Sequence, residues 1–217
     1  MSGADQGNRL WIKICGITNA ADAQHAIDYG ADALGFNFYP GSKRHVEAET
    51  AGTWISELPE AVCRVAILVD PSLSEAVRIS QLPFVDALQL HGSESSDFCR
   101  SLAGRNVRFA KALPVTNAGS LREIPSFFTD MLVLDAASET GFGGGGRTFP
   151  WRLAREFVDL HPDFRVVLAG GLTPENVARA IREVRPSGVD VTSGVESAPG
   201  RKDRDRMRAF IQAARAA

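Results

Sequence analysis

The chain has 217 residues, 44% hydrophobic and 23% charged, with a formal net charge of −2. That balance suits a globular chain with one sizeable core and lacks the basic excess that a nucleic-acid partner would require. Three cysteines, at 15, 63 and 99, are too few and odd in number for a disulfide framework, so a reducing, cytoplasmic setting is expected; no apolar run approaches the roughly 18 residues of a membrane span.

Residues 1–9 are polar without an apolar stretch, so they read as a disordered extension ahead of one domain over 10–217. A first strand is predicted over 10–15 and a helix over 20–29, closed by Gly30. A second strand (33–37) leads into the turn-rich 39–45 and a helix over 48–57. The third strand (64–69) stops at Asp70-Pro71, with a helix from near Ser72. The fourth (87–90) ends at His91-Gly92 before a helix over 93–102. A fifth strand (107–112) is followed by a short helix around Ser120, and a sixth (131–135) by a loop over 136–147 carrying five glycines, then a helix from near Pro150. The seventh (165–169) runs into Gly170-Gly171 and a helix opened by Thr173-Pro174-Glu175, with Pro174 suited to its first position. The eighth (189–193) precedes a last helix over 203–213. The basic run 201–208 alternates with Asp203 and Asp205 and reads as a solvated helix face.

Eight β-α units at roughly 25 residues each, with no internal linker, predict an α/β fold: a single-domain (β/α)8 barrel of parallel strands near its minimal size. A dinucleotide fold would need its glycine fingerprint after the first strand. The string Gly141 to Gly146 matches that pattern only late in the chain, and it does not directly open a helix.

In such a barrel the active site lies at the carboxyl ends of the strands. Lys13 and Cys15 leave one face of the first strand, and a cation beside a thiol favours the thiolate. Gly170-Gly171 and Ser193-Gly194, after strands seven and eight, are where barrel enzymes hold a phosphate, through backbone N–H groups and here the Ser193 hydroxyl.

Lys13-Ile14-Cys15-Gly16-Ile17-Thr18, Gly35 to Phe38 with Pro40 through Arg44, and Leu88-Gln89-Leu90-His91-Gly92 resemble phosphoribosylanthranilate isomerases. So do Leu134-Asp135, Leu168 to Val177, and Asp190 to Glu196 followed by Pro199-Gly200 and Lys202-Asp203, in family order over nearly the whole chain after Arg9. The resemblance implies an Amadori rearrangement in tryptophan biosynthesis without metal or organic cofactor. N-(5′-phosphoribosyl)anthranilate, a small phosphosugar, would become 1-(2-carboxyphenylamino)-1-deoxyribulose 5-phosphate. By the family pattern Cys15 is the general base, Asp135 the general acid, and Arg44 the holder of the anthranilate carboxylate, for which its two-pronged fork is suited.

Two assignments come from the residues. Closing the barrel sets strand eight beside strand one, so Asp190 is expected to pair with Lys13, since an unpaired buried lysine is costly. His91, at a strand end, is expected to touch substrate. The family's Gly-Gly-Thr-Gly appears here as Gly143 to Gly146, and its Phe-Asp-Trp as Phe149-Pro150-Trp151. The first change makes that loop more mobile, and the second removes a helix N-cap, which Pro150 at the first helical position would partly offset; a lower turnover or a looser substrate loop is expected, not a changed reaction. The alternatives are a catalytically idle barrel that binds a phosphorylated ligand and a related two-aspartate phosphosugar isomerase. The helix outer faces leave monomer and homodimer both open.

Overall fold

The computed structural model describes residues 9–117, 121, 126–136 and 148–217. The expected extension up to residue 8, the helix around Ser120 and the Gly143–Gly146 substitution lie outside the described residues. Eight parallel strands close into a barrel in sequence order: β1 (Trp11–Cys15), β2 (Ala33–Asn37), β3 (Cys63–Leu68), β4 (Ala87–Leu90), β5 (Phe109–Val115), β6 (Met131–Ala136), β7 (Arg165–Leu168) and β8 (Gly188–Val191), with β8 pairing β1. Seven described helices surround it: α1 (Ala20–Asp28), α2 (Ala48–Ile55), α3 (Leu73–Ser80), α4 (Ser96–Ala103), α5 (Trp151–Leu160), α6 (Val177–Val184) and α7 (Arg204–Arg215). A small hairpin, β9 (Glu196–Ala198) with β10 (Arg201–Lys202), follows the barrel and has no counterpart in the sequence reading.

Alternation decides what faces inward. Most of the apolar side chains pack between sheet and helices, in a core running from Ile12 and Ile14 on β1 to Phe210 and Ile211 on α7. A smaller cluster of Ala110, Ala112, Val133, Val167 and Ala169 fills part of the barrel interior. Barrel interiors are usually layered with branched apolar residues. Here Lys13, Gln89 and Asp190 are buried in the interior instead.

Helix starts follow local caps. Asn19, Ser72 and Ser95 each accept a backbone N–H with the side chain, and Asp203 accepts two. Several boundaries differ from the sequence reading for visible reasons. α4 begins at Ser96, not 93, because Glu94 turns back to accept the N–H groups of Asp70 and Gly92 and the Lys111 ammonium. α6 begins three residues after Pro174, because Asn176 accepts from Thr173 N and donates to Gly171 O, closing a turn first. Pro150 occupies the N-cap of α5 rather than its first turn and supplies no side-chain cap. In the basic run, Arg201, Arg204, Arg206 and Arg208 are exposed but Lys202 is buried, so that segment is not one solvated face.

Candidate active site

At the carboxyl ends of the strands lies a cavity of about 580 Å³. Cys15, Arg44, His91, Asp135, Gly170, Gly171, Asp190, Ser193 and Gly194 all line it, and Lys13 lies below among the buried interior residues. Strands β1, β6 and β8 and the loops after β2, β4, β7 and β8 thus bring every residue singled out from the sequence to one place.

The register that closes the barrel sets Lys13 opposite Asp190. Lys13 Nζ donates to Asp190 Oδ2 at 2.5 Å and to Gln89 Oε1 at 2.9 Å, and the lysine is only 1% exposed. Burial is the largest single influence and works against its charge, but the Asp190 carboxylate and Cys15 together outweigh it, and Lys13 titrates above its ordinary value. Cys15 sits two residues on. Burial pushes its thiol above the ordinary value of 9.0, although Lys13 and Lys202 pull the other way; Asp190 adds to the upward push. The sequence reading had Lys13 as a cation that favours the thiolate. Desolvation outweighs that pull. Gly35 on β2 makes room for this pair, since a Cβ there would lie 2.7 Å from Cys15 Sγ and 3.0 Å from Lys13 Cε.

Across the cavity, His91 Nε2 lies 3.2 Å from Asp135 Oδ2, and His91 Nδ1 lies 3.1 Å from Gln89 Nε2. Gln89 was within a motif read from the sequence but carried no role there. Its signal is its place on β4 two residues before His91, hence on the same inward face.

Arg44 points one edge of its guanidinium at Glu196, with Nε to Oε1 at 2.8 Å and Nη2 to Oε2 at 2.7 Å. That leaves Nη1 and one Nη2 hydrogen for a ligand, because a guanidinium has five N–H donors. Glu196, within a family motif but given no role in the sequence reading, is the anchor of this arginine. Burial opposes its charge, yet the Arg44 hydrogen bonds and Lys202 hold it below the usual carboxylate value. Lys202 donates to Cys15 O at 2.6 Å, Thr192 O at 3.1 Å and Glu196 Oε1 at 3.1 Å, tying the ends of β1 and β8 together. Burial holds its own titration below the ordinary lysine value.

The loops after β7 and β8 pack against each other. Gly170 has φ +81, and a Cβ there would press on the Ala136 backbone N and lie 2.7 Å from Asp135 Oδ1. A Cβ on Gly194 would overlap the Leu172 carbonyl oxygen. These glycines are therefore required by close backbone approach. Ser193 opens the 3-10 turn Ser193–Val195 at its rim. Among the described residues, no group of three or more His, Cys, Asp or Glu side chains is placed to hold a metal ion.

A family model for N-(5′-phosphoribosyl)anthranilate (PRA) isomerase matches residues 12–213. The N-(5′-phosphoribosyl)anthranilate isomerase of Trichlorobacter lovleyi is 46% identical over 206 residues, 95% of this chain and 98% of that protein. The Thermotoga maritima enzyme of the same name is 42% identical over 205 residues, 94% of this chain and 98% of that protein. A crystal structure of phosphoribosyl anthranilate isomerase in complex with reduced 1-(o-carboxyphenylamino)-1-deoxyribulose 5-phosphate is 38% identical. It superposes with a TM-score of 0.81, covering 96% of this chain and 100% of its own. The chain belongs to the N-(5′-phosphoribosyl)anthranilate isomerase family.

Proposed function

We propose that Cys15 and Asp135 are the base and acid with which this isomerase of tryptophan biosynthesis converts N-(5′-phosphoribosyl)anthranilate to 1-(2-carboxyphenylamino)-1-deoxyribulose 5-phosphate. The observation that carries the assignment is that a thiol and a carboxylic acid group, from β1 and β6, line one cavity whose other walls supply an arginine edge and a glycine cradle. The substrate has a carboxylate at one end and a phosphate at the other. Arg44 takes the carboxylate with its free edge, and Gly170, Gly171, Ser193 and Gly194 take the phosphate. The reacting carbons then lie between the two groups.

In its acid form Asp135 gives its proton to the furanose ring oxygen. The C1′–O bond breaks, and a Schiff base with a positive nitrogen forms. The Cys15 thiolate removes the C2′ proton, whose electrons pass toward that nitrogen to give an enolamine, which tautomerises to the ketone. Burial raises the Cys15 titration above the ordinary thiol value. The iminium charge is the feature that favours thiolate when a base is needed, because an adjacent cation stabilises an anion in a desolvated site.

A cytoplasmic enzyme is the reading supported by three free thiols, Cys15, Cys63 and Cys99. No described helix is long and apolar enough to cross a membrane. One solved relative carries the description mutually generated monomers of dimeric enzyme, from Thermotoga maritima. A homodimer is accordingly the assembly to test here, by sedimentation equilibrium.

The roles are tested by generating the substrate in situ and following its fluorescence decay with wild type, Cys15→Ser and Asp135→Asn. Decay with wild type alone, indifferent to chelator, supports them. Wild-type rates in either variant, with the protein folded, overturn the corresponding role.

A further inference from the structure

Hydrogen bonds link four side chains in a line at the cavity, Asp190, Lys13, Gln89 and His91, and His91 Nε2 lies 3.2 Å from Asp135 Oδ2. One end of this line has no directional freedom. An ammonium can only donate, so the Gln89 atom 2.9 Å from Lys13 Nζ is the carbonyl oxygen. The Gln89 amide nitrogen therefore points the other way, at His91 Nδ1, 3.1 Å distant. An NH2 group is a donor, so Nδ1 must be the bare, accepting nitrogen. A neutral imidazole with a bare Nδ1 carries its proton on Nε2, and Nε2 faces Asp135 Oδ2 at 3.2 Å.

We propose that Gln89, oriented by Lys13, is a positioning residue that fixes His91 as the Nε2–H tautomer and thereby assigns the transferable proton of Asp135 to Oδ1. The chemistry is one of elimination. With an N–H rather than a bare nitrogen 3.2 Å from Oδ2, the carboxyl proton is favoured on Oδ1. That oxygen lies beside Gly170, where even a methyl group would come within 2.7 Å of it, at the loop that walls the cavity. Gln89 lines the same cavity, and its effect on Asp135 runs through His91. Lys13 consequently serves both halves of the site, since it lies beside the Cys15 thiol and sets the direction of the hydrogen bonds that end on His91, the neighbour of Asp135.

The proposal rests on Asp135 as the acid, and the experiment separates the two. Wild-type protein labelled with 15N-histidine is examined by NMR, with the His91 signals among the four histidines identified by their loss in His91→Asn. The expected spectrum has Nδ1 unprotonated and Nε2 protonated. In Gln89→Glu, both carboxylate oxygens accept, so Lys13 keeps its partner while Nδ1 must now carry a proton. The nitrogen assignments should change accordingly, and kcat should fall by about a hundredfold, in the range general acid–base catalysis contributes, with KM little changed. A wild-type His91 protonated on Nδ1 overturns the proposal without recourse to any variant. So does Gln89→Glu with an unchanged spectrum, or with a changed spectrum and wild-type kcat. If instead Asp135→Asn retains activity, the acid assignment fails while the His91 tautomer stands on its own spectrum.

Discussion

Replacing Asp190 by Asn removes one charge from a pair that the barrel has taken almost wholly out of water. Lys13 is 1% and Asp190 6% exposed, and their contact is 2.5 Å. Gln89, a further hydrogen-bond partner of the lysine, is neutral. Breaking a buried ion pair from one side leaves an uncompensated charge and costs about 3–5 kcal/mol. Domains have about 5–15 kcal/mol of stability in total. For a chain of this length each kcal/mol moves the melting temperature by about 2–4 °C, so a loss near 4 kcal/mol predicts a fall of about 8–16 °C. Urea unfolding followed by circular dichroism, alongside a thermal scan, measures it. The companion variant Lys13→Met/Asp190→Leu removes both charges and fills the space with apolar groups, so its loss should be well below the sum of the two single changes. A loss under about 1 kcal/mol in Asp190→Asn, or strict additivity in the cycle, would refute the claim that the pair is a desolvated unit.

Gly170→Ala meets both a positive φ and the Ala136 backbone, so a loss of about 1–3 kcal/mol is expected, with reduced kcat because Asp135 Oδ1 is displaced. Thermal unfolding and steady-state kinetics check it. Glu196 titrates below its ordinary value of 4.5, so its ion pair contributes stability above that pH and loses it as pH falls through the depressed folded value. Glu196→Gln should therefore be clearly less stable than wild type at neutral pH and converge with it in acid, measured by urea midpoints across pH. Arg44→Lys keeps the charge but loses the planar fork; forfeiting a charge-assisted hydrogen bond of about 1.5–3 kcal/mol predicts a KM raised roughly tenfold to a hundredfold.

The barrel was legible because each strand is a short apolar run and each unit repeats at nearly constant length. Parity then placed Lys13 with Cys15, and barrel closure placed Asp190 beside Lys13. What the sequence hid is mostly a matter of competing partners. Charge alternation made 201–208 look solvated, yet Lys202 folds inward because three acceptors, two of them strand-end carbonyls, await it. Glu94 and Asn176 look like helix-start residues, but each spends its side chain on loop backbone and so delays the helix. Gln89 is uncharged and gives no signal until its neighbours on both sides are known. The direction of the Cys15 titration depends on burial, which spacing to one lysine does not report.

The base assignment is tested most directly by comparing the titration of Cys15 with the pH dependence of turnover. The alkylation rate of Cys15 in the free protein, followed by peptide mass analysis, gives the thiol's own titration. The pH profile of kcat/KM reports the essential groups of the free enzyme, and that of kcat those of the substrate complex. If Cys15 is the base, alkylation and the rising limb of kcat/KM share one apparent pKa above the ordinary thiol value of 9.0. The limb of kcat should fall at lower pH, because the substrate's iminium charge favours thiolate, and Cys15→Ser should lose the limb with its activity. A kcat/KM profile that is flat through the thiol's titration, or one retained in Cys15→Ser, would contradict the account.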